Sequence, residues 1–303
     1  MNKIKYIGLL FLFLLASNCA NYEPQYKTEN KTISSTTTKD VIHSFYLLGD
    51  GGNSPIGSET ITLKRLRTEL NSANSNSTFL FLGDNIYPAG LPKKGHSQRA
   101  FAEHQLNIQT DIVKNYKGKT IFIPGNHDWY SDGLKGLARE EAYLKEALGK
   151  HTLIPEKGCP IESIEVHESI QLIVVDSEWY LENWNKHPTV NDHCEIKTRD
   201  RFFAELEGEI KKAQGKQVVL AMHHPMNTNG IHGGKYAWEK HLFPLSSKVP
   251  LPGLGSFVAQ VRSQGGVSMQ DRFNERYNEL MLRIETIIFD KDNVVLASRH
   301  EHT

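Results

Sequence analysis

Cysteine is scarce: the chain has three in 303 residues. A dense disulfide framework is therefore excluded, and a chain of this length does not need one, because its core can grow large enough to fold without covalent staples or a structural metal. Charge of one sign is lacking too. Thirty-five basic residues face 35 acidic ones, which leaves no excess basic field for gripping a nucleic-acid backbone and excludes a nucleic-acid scaffold role. No repeat of roughly 20–50 residues is visible, so solenoids and propellers are out. With 39% hydrophobic residues, disorder and collagen-like structure are out as well. The apolar run from Ile7 to Ala16 is about half the ~20 residues that a bilayer-spanning helix requires.

That run has another reading. Lys3 and Lys5 precede it and Ala16-Ser17-Asn18-Cys19 follows it, the order of an export signal. Small residues followed by cysteine resemble a bacterial lipobox, with residues 1–18 removed and Cys19 lipidated; Asn18 departs from the usual Gly, Ala or Ser. An ordinary signal peptide with an incidental cysteine is the alternative, and both readings export the protein. The expected location is the bacterial cell envelope, on the periplasmic or surface side, with membrane attachment through Cys19. Residues 19–40 are polar and nearly free of large aliphatics, which predicts a flexible tether. Residues 41–303 are left for a single folded domain. Export gives Cys159 and Cys194 a meaning, since an oxidising compartment permits a disulfide between them. Two free buried thiols are the alternative; the even cysteine count left after lipidation favours the bridge.

From Ile42 onward short apolar runs alternate with segments of helical period. Strands are predicted over His43–Leu48, Thr78–Leu82, Thr120–Ile123, Gln171–Val175, Gln217–Met222 and Asn293–Ala297. Helices are predicted over Glu59–Leu70, Gln98–Tyr116, Leu134–Leu148, Thr198–Ala213 and Met269–Phe289. In the fourth, Phe202, Leu206, Ile210 and Ala213 share one face while Arg201, Glu205, Glu209 and Lys212 share the other. The fold class is α/β. Between Asn227 and Gly266 helical periodicity fades and Gly, Pro and Ser recur, so a long functional loop is expected. Tyr236, Trp238 and Phe243 argue that part of it packs down.

The chemistry collects where strands end. After successive predicted strands come Gly49-Asp50-Gly51-Gly52, Gly83-Asp84-Asn85-Ile86-Tyr87, Gly125-Asn126-His127-Asp128, His223-His224-Pro225 and His300-Glu301-His302. Ligands bind at the carboxyl ends of strands in open α/β sheets, so residues far apart in sequence can converge there. Carboxylate, amide oxygen and imidazole are the donor set that holds two cations close enough to clamp a phosphoryl group.

This series resembles the calcineurin-like metallophosphoesterase superfamily, over essentially the whole stretch from Ile42 to His302. The resemblance implies a four-layer α/β/β/α sandwich with mixed sheets, two metal ions and phosphoric ester hydrolysis. Two details resemble the purple acid phosphatase branch: Gly52 stands where the superfamily commonly has a histidine ligand, and Tyr87 lies three residues after Asp84. A phenol with a pKa near ~10 binds a divalent ion poorly at neutral pH, whereas a ferric ion is acidic enough to hold it as phenolate. The resemblance therefore places Asp50, Tyr87 and His302 on Fe(III), Asp84 between the ions, and Asn126, His223 and His300 on a second ion, Fe(II), Zn(II) or Mn(II). A hydroxide activated between the ions would attack phosphorus, with His127 and His232 as catalytic groups protonating the leaving alcohol or gripping the phosphate. Asp128 is expected to orient the His127 ring, His224 to support the site, Asp176 to support it or to serve the structure alone, and Trp129, Tyr130 and Trp238 to serve as core or pocket wall. Arg299 replaces the usual Gly before His300 and either points away or reaches a substrate oxygen. Relatives continue with further strands after the last motif, so the chain is expected to be a fragment truncated at the C-terminus. A phosphomonoester is the expected substrate. A phosphodiester or nucleotide on the same metals is the first alternative, and an inactive envelope metal-binding or scaffolding module the second.

Overall fold

The computed structural model describes residues 41–244, 249–251, 253–265 and 268–300. The expected export signal, Cys19, the expected tether, Glu301 and His302 lie outside the described residues. Two sheets form the centre. Strands β1 (Ser44–Leu48), β2 (Ser77–Phe81) and β3 (Lys119–Phe122) make a parallel sheet in that order. Leu48 lies opposite Phe81, and Phe81 opposite Phe122, so the three strands end level. Strands β4 (Ile161–His167), β5 (Ile170–Val175), β6 (Gln217–Met222) and β7 (Val294–Ala297) make the second sheet, in which β4 runs antiparallel to β5 and the others are parallel.

The helices, in chain order, are α1 (Ile61–Ser72), α2 (Arg99–Val113), α3 (Asn126–Trp129), α4 (Leu134–Leu148), α5 (Ser177–Leu181), α6 (Arg199–Lys212), α7 (Trp238–Leu242), α8 (Leu254–Ser263) and α9 (Glu275–Ile288). Strand alternation decides the layers. Leu80, Leu82, Ile121 and Ile123 from the first sheet meet Leu172, Val174, Val219 and Ala221 from the second in one core. The intervening Phe79, Phe81 and Phe122 point the other way, onto Leu63, Leu106 and Leu144 of α1, α2 and α4. On the far side, Ile173, Val218 and Leu220 pack on Phe202, Leu206 and Ile210 of α6 and on Leu280 and Ile284 of α9. Each such side chain contributes roughly 1.5–3 kcal/mol of burial. The result is the expected four-layer α/β/β/α sandwich with one mixed sheet.

Local signals set the helix starts. Thr60 and Thr198 cap α1 and α6 by accepting from the Leu63 and Arg201 backbone N–H groups. Asn274 caps α9, which is why that helix begins at Glu275 rather than at Met269. β4 escapes the sequence reading because, as a half-buried edge strand, IESIEVH carries no clean apolar alternation. The expected loop contains α7 and α8. α8 turns Gly255 and Ala259 to the interior and leaves Leu254, Phe257 and Val258 outside, so its large apolar residues are not the buried ones. Trp238 does not pack down either; it is 64% exposed. Cys159 and Cys194 form a disulfide, tying the start of β4 to the segment before α6. Among the described residues, no helix is long and apolar enough to cross a membrane.

Candidate metal centre

Because β1, β2 and β3 are parallel and in register, Asp50, Asp84 and Asn126 emerge on one edge. His223 and His300 follow β6 and β7, also parallel, on the matching edge of the second sheet. The two edges meet: His223 Nε2 is 3.4 Å from Asp84 Oδ2, 3.1 Å from Asn126 Oδ1 and 2.8 Å from His300 Nδ1. Donor atoms of Asp84, His223 and His300, all three buried, lie within 4.8 Å of one another. Ligands at ~2.1 Å from a tetrahedral ion are separated by about 3.4 Å, so the spacing suits one cation.

The protonation pattern supports the same use. A carbonyl can only accept, so His223 Nδ1 donates to Leu82 O at 2.8 Å, leaving Nε2 toward the cluster. Burial by itself lowers the His223 pKa, but the Asp84 carboxylate beside it outweighs burial and pushes it up to about 9: the site favours a positive charge at this point. His300 is held neutral, its pKa driven well down by burial and by the neighbouring histidines His224 and His223. Among the described residues, its Nε2 is buried without a hydrogen-bond partner. A neutral, buried, unsatisfied imidazole nitrogen is a ligand's condition.

The second group of donors adjoins the first through Asp84. Tyr87 Oη lies 2.7 Å from Asp84 Oδ2 and 3.1 Å from Asp50 Oδ1. Burial, followed by the charges of Asp84 and Asp50, raises the phenol pKa far above its ordinary value. Asp50 Oδ2 accepts from Arg299 Nε at 3.2 Å, so Arg299 turns into the site. Asp50 and Asp84 both have positive φ, 54° and 55°, a region costing a non-glycine residue roughly 1–2 kcal/mol. Backbone geometry leaves no slack here. A Cβ on Gly125 would sit 2.3 Å from Asp84 Oδ1. One on Gly52 would sit 2.8 Å from both Asn85 O and Gln105 Oε1, so this loop has no room for a histidine at that position.

His127 is half-exposed at the mouth. Its backbone N–H donates to Asp84 Oδ1 at 3.0 Å, its Nδ1 to Pro88 O at 2.6 Å, and its Nε2 faces Asp84 Oδ2 at 4.0 Å. Asp128 does not orient that ring, contrary to the expectation from its adjacency. It turns inward, accepting backbone N–H groups from Gly125, Asn85 and Ile86 at 2.8, 3.0 and 3.1 Å, and so welds the β2 loop to the β3 loop. His224 is buried between Ser177 Oγ and Gln270 Oε1, and burial takes its pKa down to about 3. Asp176 caps α5 and accepts from Trp129 Nε1 at 3.0 Å. Trp129 is core, whereas Tyr130 Oη accepts from Asn126 Nδ2 at 2.6 Å. His232 reaches the site from the long segment after β6, its ring centroid 4.4 Å from that of His300. A cleft of about 520 Å³ opens beside Asp50 and Arg299, and one of about 360 Å³ beside Tyr87 and Tyr130.

Three supporting residues went unseen in the strand-end motifs. Gln105 holds Tyr87 by accepting from its N–H and donating to its C=O, both at 2.7 Å; Gln109 donates to Asn85 O at 2.8 Å. Asn85 Nδ2 donates to Glu140 Oε1 at 3.2 Å. Their signal was available. Gln105 and Gln109 share the buried side of α2 with Ala102, Leu106 and Val113, and Glu140 stands between Leu137 and Leu144 on α4. Polar residues on an apolar face need partners.

The chain is similar to known proteins. A solved structure, that of a protein of unknown function from Aquifex aeolicus, is 16% identical and covers 60% of this chain and 79% of its own, with a TM-score of 0.27. The glycerophosphodiester phosphodiesterase of Haemophilus influenzae is 26% identical over 121 residues, which is 40% of this chain and 32% of that protein, so the chain spans about a third of the length of this curated relative. The profile of the calcineurin-like phosphoesterases matches residues 42–249, taking in the loops of Asp50, Asp84, Asn126 and His223. These loops carry their donors to the junction of the two sheets, and the chain that builds them belongs to the calcineurin-like phosphoesterase family.

Proposed function

We propose that the protein is a dinuclear phosphomonoesterase of the purple acid phosphatase type. The observation that carries this reading is Tyr87 Oη, within hydrogen-bond reach of both Asp50 and Asp84, combined with a Gly52 position that is closed to a histidine. The donor set fits two ions sharing Asp84. Asp50 and Tyr87 would hold one, joined by His302; Asn126, His223 and His300 would hold the other. Burial and two carboxylates make the Tyr87 phenol hard to ionise, so a strongly acidic cation such as Fe(III) suits that side, with Fe(II), Zn(II) or Mn(II) on the other. When bound, the ions supply Lewis acidity to a phosphoryl oxygen and acidify water.

The chain's own groups do the rest. Asp84 is fixed by the His127 N–H and by Tyr87, so its two oxygens keep their bearing. His127, locked by the Pro88 carbonyl, presents Nε2 at the mouth. His232 presents its ring beside His300. As the P–O bond to the leaving group breaks with its electron pair on that oxygen, one of these imidazoles delivers a proton to it. Water's oxygen bonds to phosphorus, its proton goes to solvent, and the imidazole regains its own from solvent.

The likeness to a glycerophosphodiester phosphodiesterase supports a second reading, diester cleavage at the same site. Turnover of an aryl monophosphate against a bis-aryl phosphate separates the two, and dominant diesterase activity overturns the first. Metal content with a visible spectrum tests the ferric assignment. A tyrosinate band lost in Tyr87→Phe is expected, and a colourless, fully active di-zinc or di-manganese enzyme overturns it. Export and lipidation at Cys19 are part of the same proposal, supported by the disulfide, which suits an oxidising compartment. Palmitate labelling that survives Cys19→Ala overturns the anchor.

A further inference from the structure

The long segment after β6 brings the His232 ring to the site, and the structure shows what holds that ring. His232 Nδ1 lies 3.3 Å from Asp271 Oδ1. Asp271 is 1% exposed and receives a two-pronged clamp from Arg262 on α8, Nε to Oδ2 at 3.0 Å and Nη2 to Oδ1 at 2.5 Å. The backbone is fastened as well, with Arg272 N–H donating to His232 O at 2.7 Å. Asp271 stands 39 residues from His232, in no motif the strand ends display. A buried carboxylate gripped on both oxygens by a guanidinium has a fixed position. An imidazole whose Nδ1 faces that carboxylate has a fixed plane and turns Nε2 away from it, while the ring packs against that of His300.

We propose that Asp271, set by Arg262, is the positioning residue for His232, and that α8 serves catalysis by supplying this clamp. The proposal rests on the reading of His232 as a group that acts on the leaving oxygen. A positioned imidazole matters in proportion to how badly the leaving group needs a proton, so misplacing it harms an alkyl phosphate far more than a dinitrophenyl phosphate, whose anion departs unprotonated.

The test uses the metal-loaded full chain with Asp271→Asn, Arg262→Gln, His232→Asn and the Asp271→Asn/His232→Asn pair. The first two are expected to lower kcat on the alkyl phosphate by about 10- to 100-fold with KM little changed, and to stay within about 3-fold on the dinitrophenyl phosphate. The pair is expected to be no worse than His232→Asn alone, because a positioning residue has nothing left to position. Equal losses on both substrates, or additive losses in the pair, overturn the positioning role while leaving the catalytic reading of His232 intact. A His232→Asn variant with no leaving-group dependence overturns that reading, and the proposal with it. Where Asp271→Asn does not fold, Arg262→Gln, at a partly exposed position, carries the same comparison. The nitrogen resonance of His232 Nδ1 in the zinc-loaded chain gives a readout apart from turnover: a shift in Arg262→Gln is expected, and an unmoved resonance overturns the clamp.

Discussion

The strand-end loops and the long segment from Asn227 to Asn274 both deliver groups to one site, by opposite means. The loops carry Asp50 and Asp84 at positive φ, have no space for a Cβ at Gly125, and are joined by the buried Asp128 carboxylate. Nothing in them can shift without moving a donor. The segment builds short helices of its own, leaves Trp238, Leu254 and Phe257 at half exposure or more, and reaches the site through His232 on the Asp271 clamp. Where the backbone itself shapes the site, the chemistry is set. Where a clamped ring reaches in from a half-exposed segment, the surrounding side chains carry less of the packing.

Four perturbations sharpen or break this contrast. The largest effect belongs to Asp84→Asn, which removes a charge shared by both proposed ion positions. A loss on the order of 10³-fold in kcat/KM is expected, the size that several kcal/mol of transition-state stabilisation implies. It should come with falling metal content but a folded chain by circular dichroism; retained metal and activity would remove Asp84 from the centre. Next is Gly125→Ala, whose new Cβ meets the Asp84 carboxylate and backbone N at 2.3 and 2.4 Å. It should cost about 1–3 kcal/mol in urea unfolding and depress activity together with stability.

A smaller effect is expected from Glu140→Gln, read against pH. Burial raises the Glu140 pKa to about 8 from a model-peptide value of ~4.3. The folded chain then binds a proton that the unfolded chain has released, and the linked stability is present at low pH and lost as pH rises through that window. The variant should lose less stability than the parent between about pH 4.5 and pH 8; parallel curves would show that Glu140 does not titrate there. The smallest belongs to the segment. Phe257→Ser on α8, at a side chain 63% exposed, should stay within about 0.5 kcal/mol of the parent. A larger loss would mean that α8 is packed as tightly as the loops, and the contrast would fail.

Much of the site was legible beforehand because strand-end motifs are local. GD, GDN, GNHD and HH each lie beside the apolar run that carries them, and parallel strands in register bring them to one edge. His302, assigned by the same logic, lies outside the described residues. The supporting set was harder to see, and Gln105, Gln109 and Glu140 show why. Each sits on a helix face whose pattern reads simply as amphipathic, and its partner is a loop backbone or side chain 18 to 55 residues away. Asp128 shows the converse error: adjacency in sequence suggested service to His127, while the turn of α3 sends its carboxylate inward to three backbone amides. β4 and α8 were missed because an edge strand and a helix with an exposed apolar stripe do not obey the burial pattern that periodicity detects.

By itself the amino-acid sequence determined the α/β class, the donor chemistry at the strand ends and the exclusion of a histidine ligand at position 52, since each is written in a few adjacent residues. Only the tertiary structure decided that Asp84 and His223 face each other across two sheets, that Cys159 bonds to Cys194, and that Arg299 turns onto Asp50. It also decided that Asp271 meets His232. Those pairings join residues 35 to 249 apart across separate elements, and the packing of one layer on another, which no local pattern encodes, selects them.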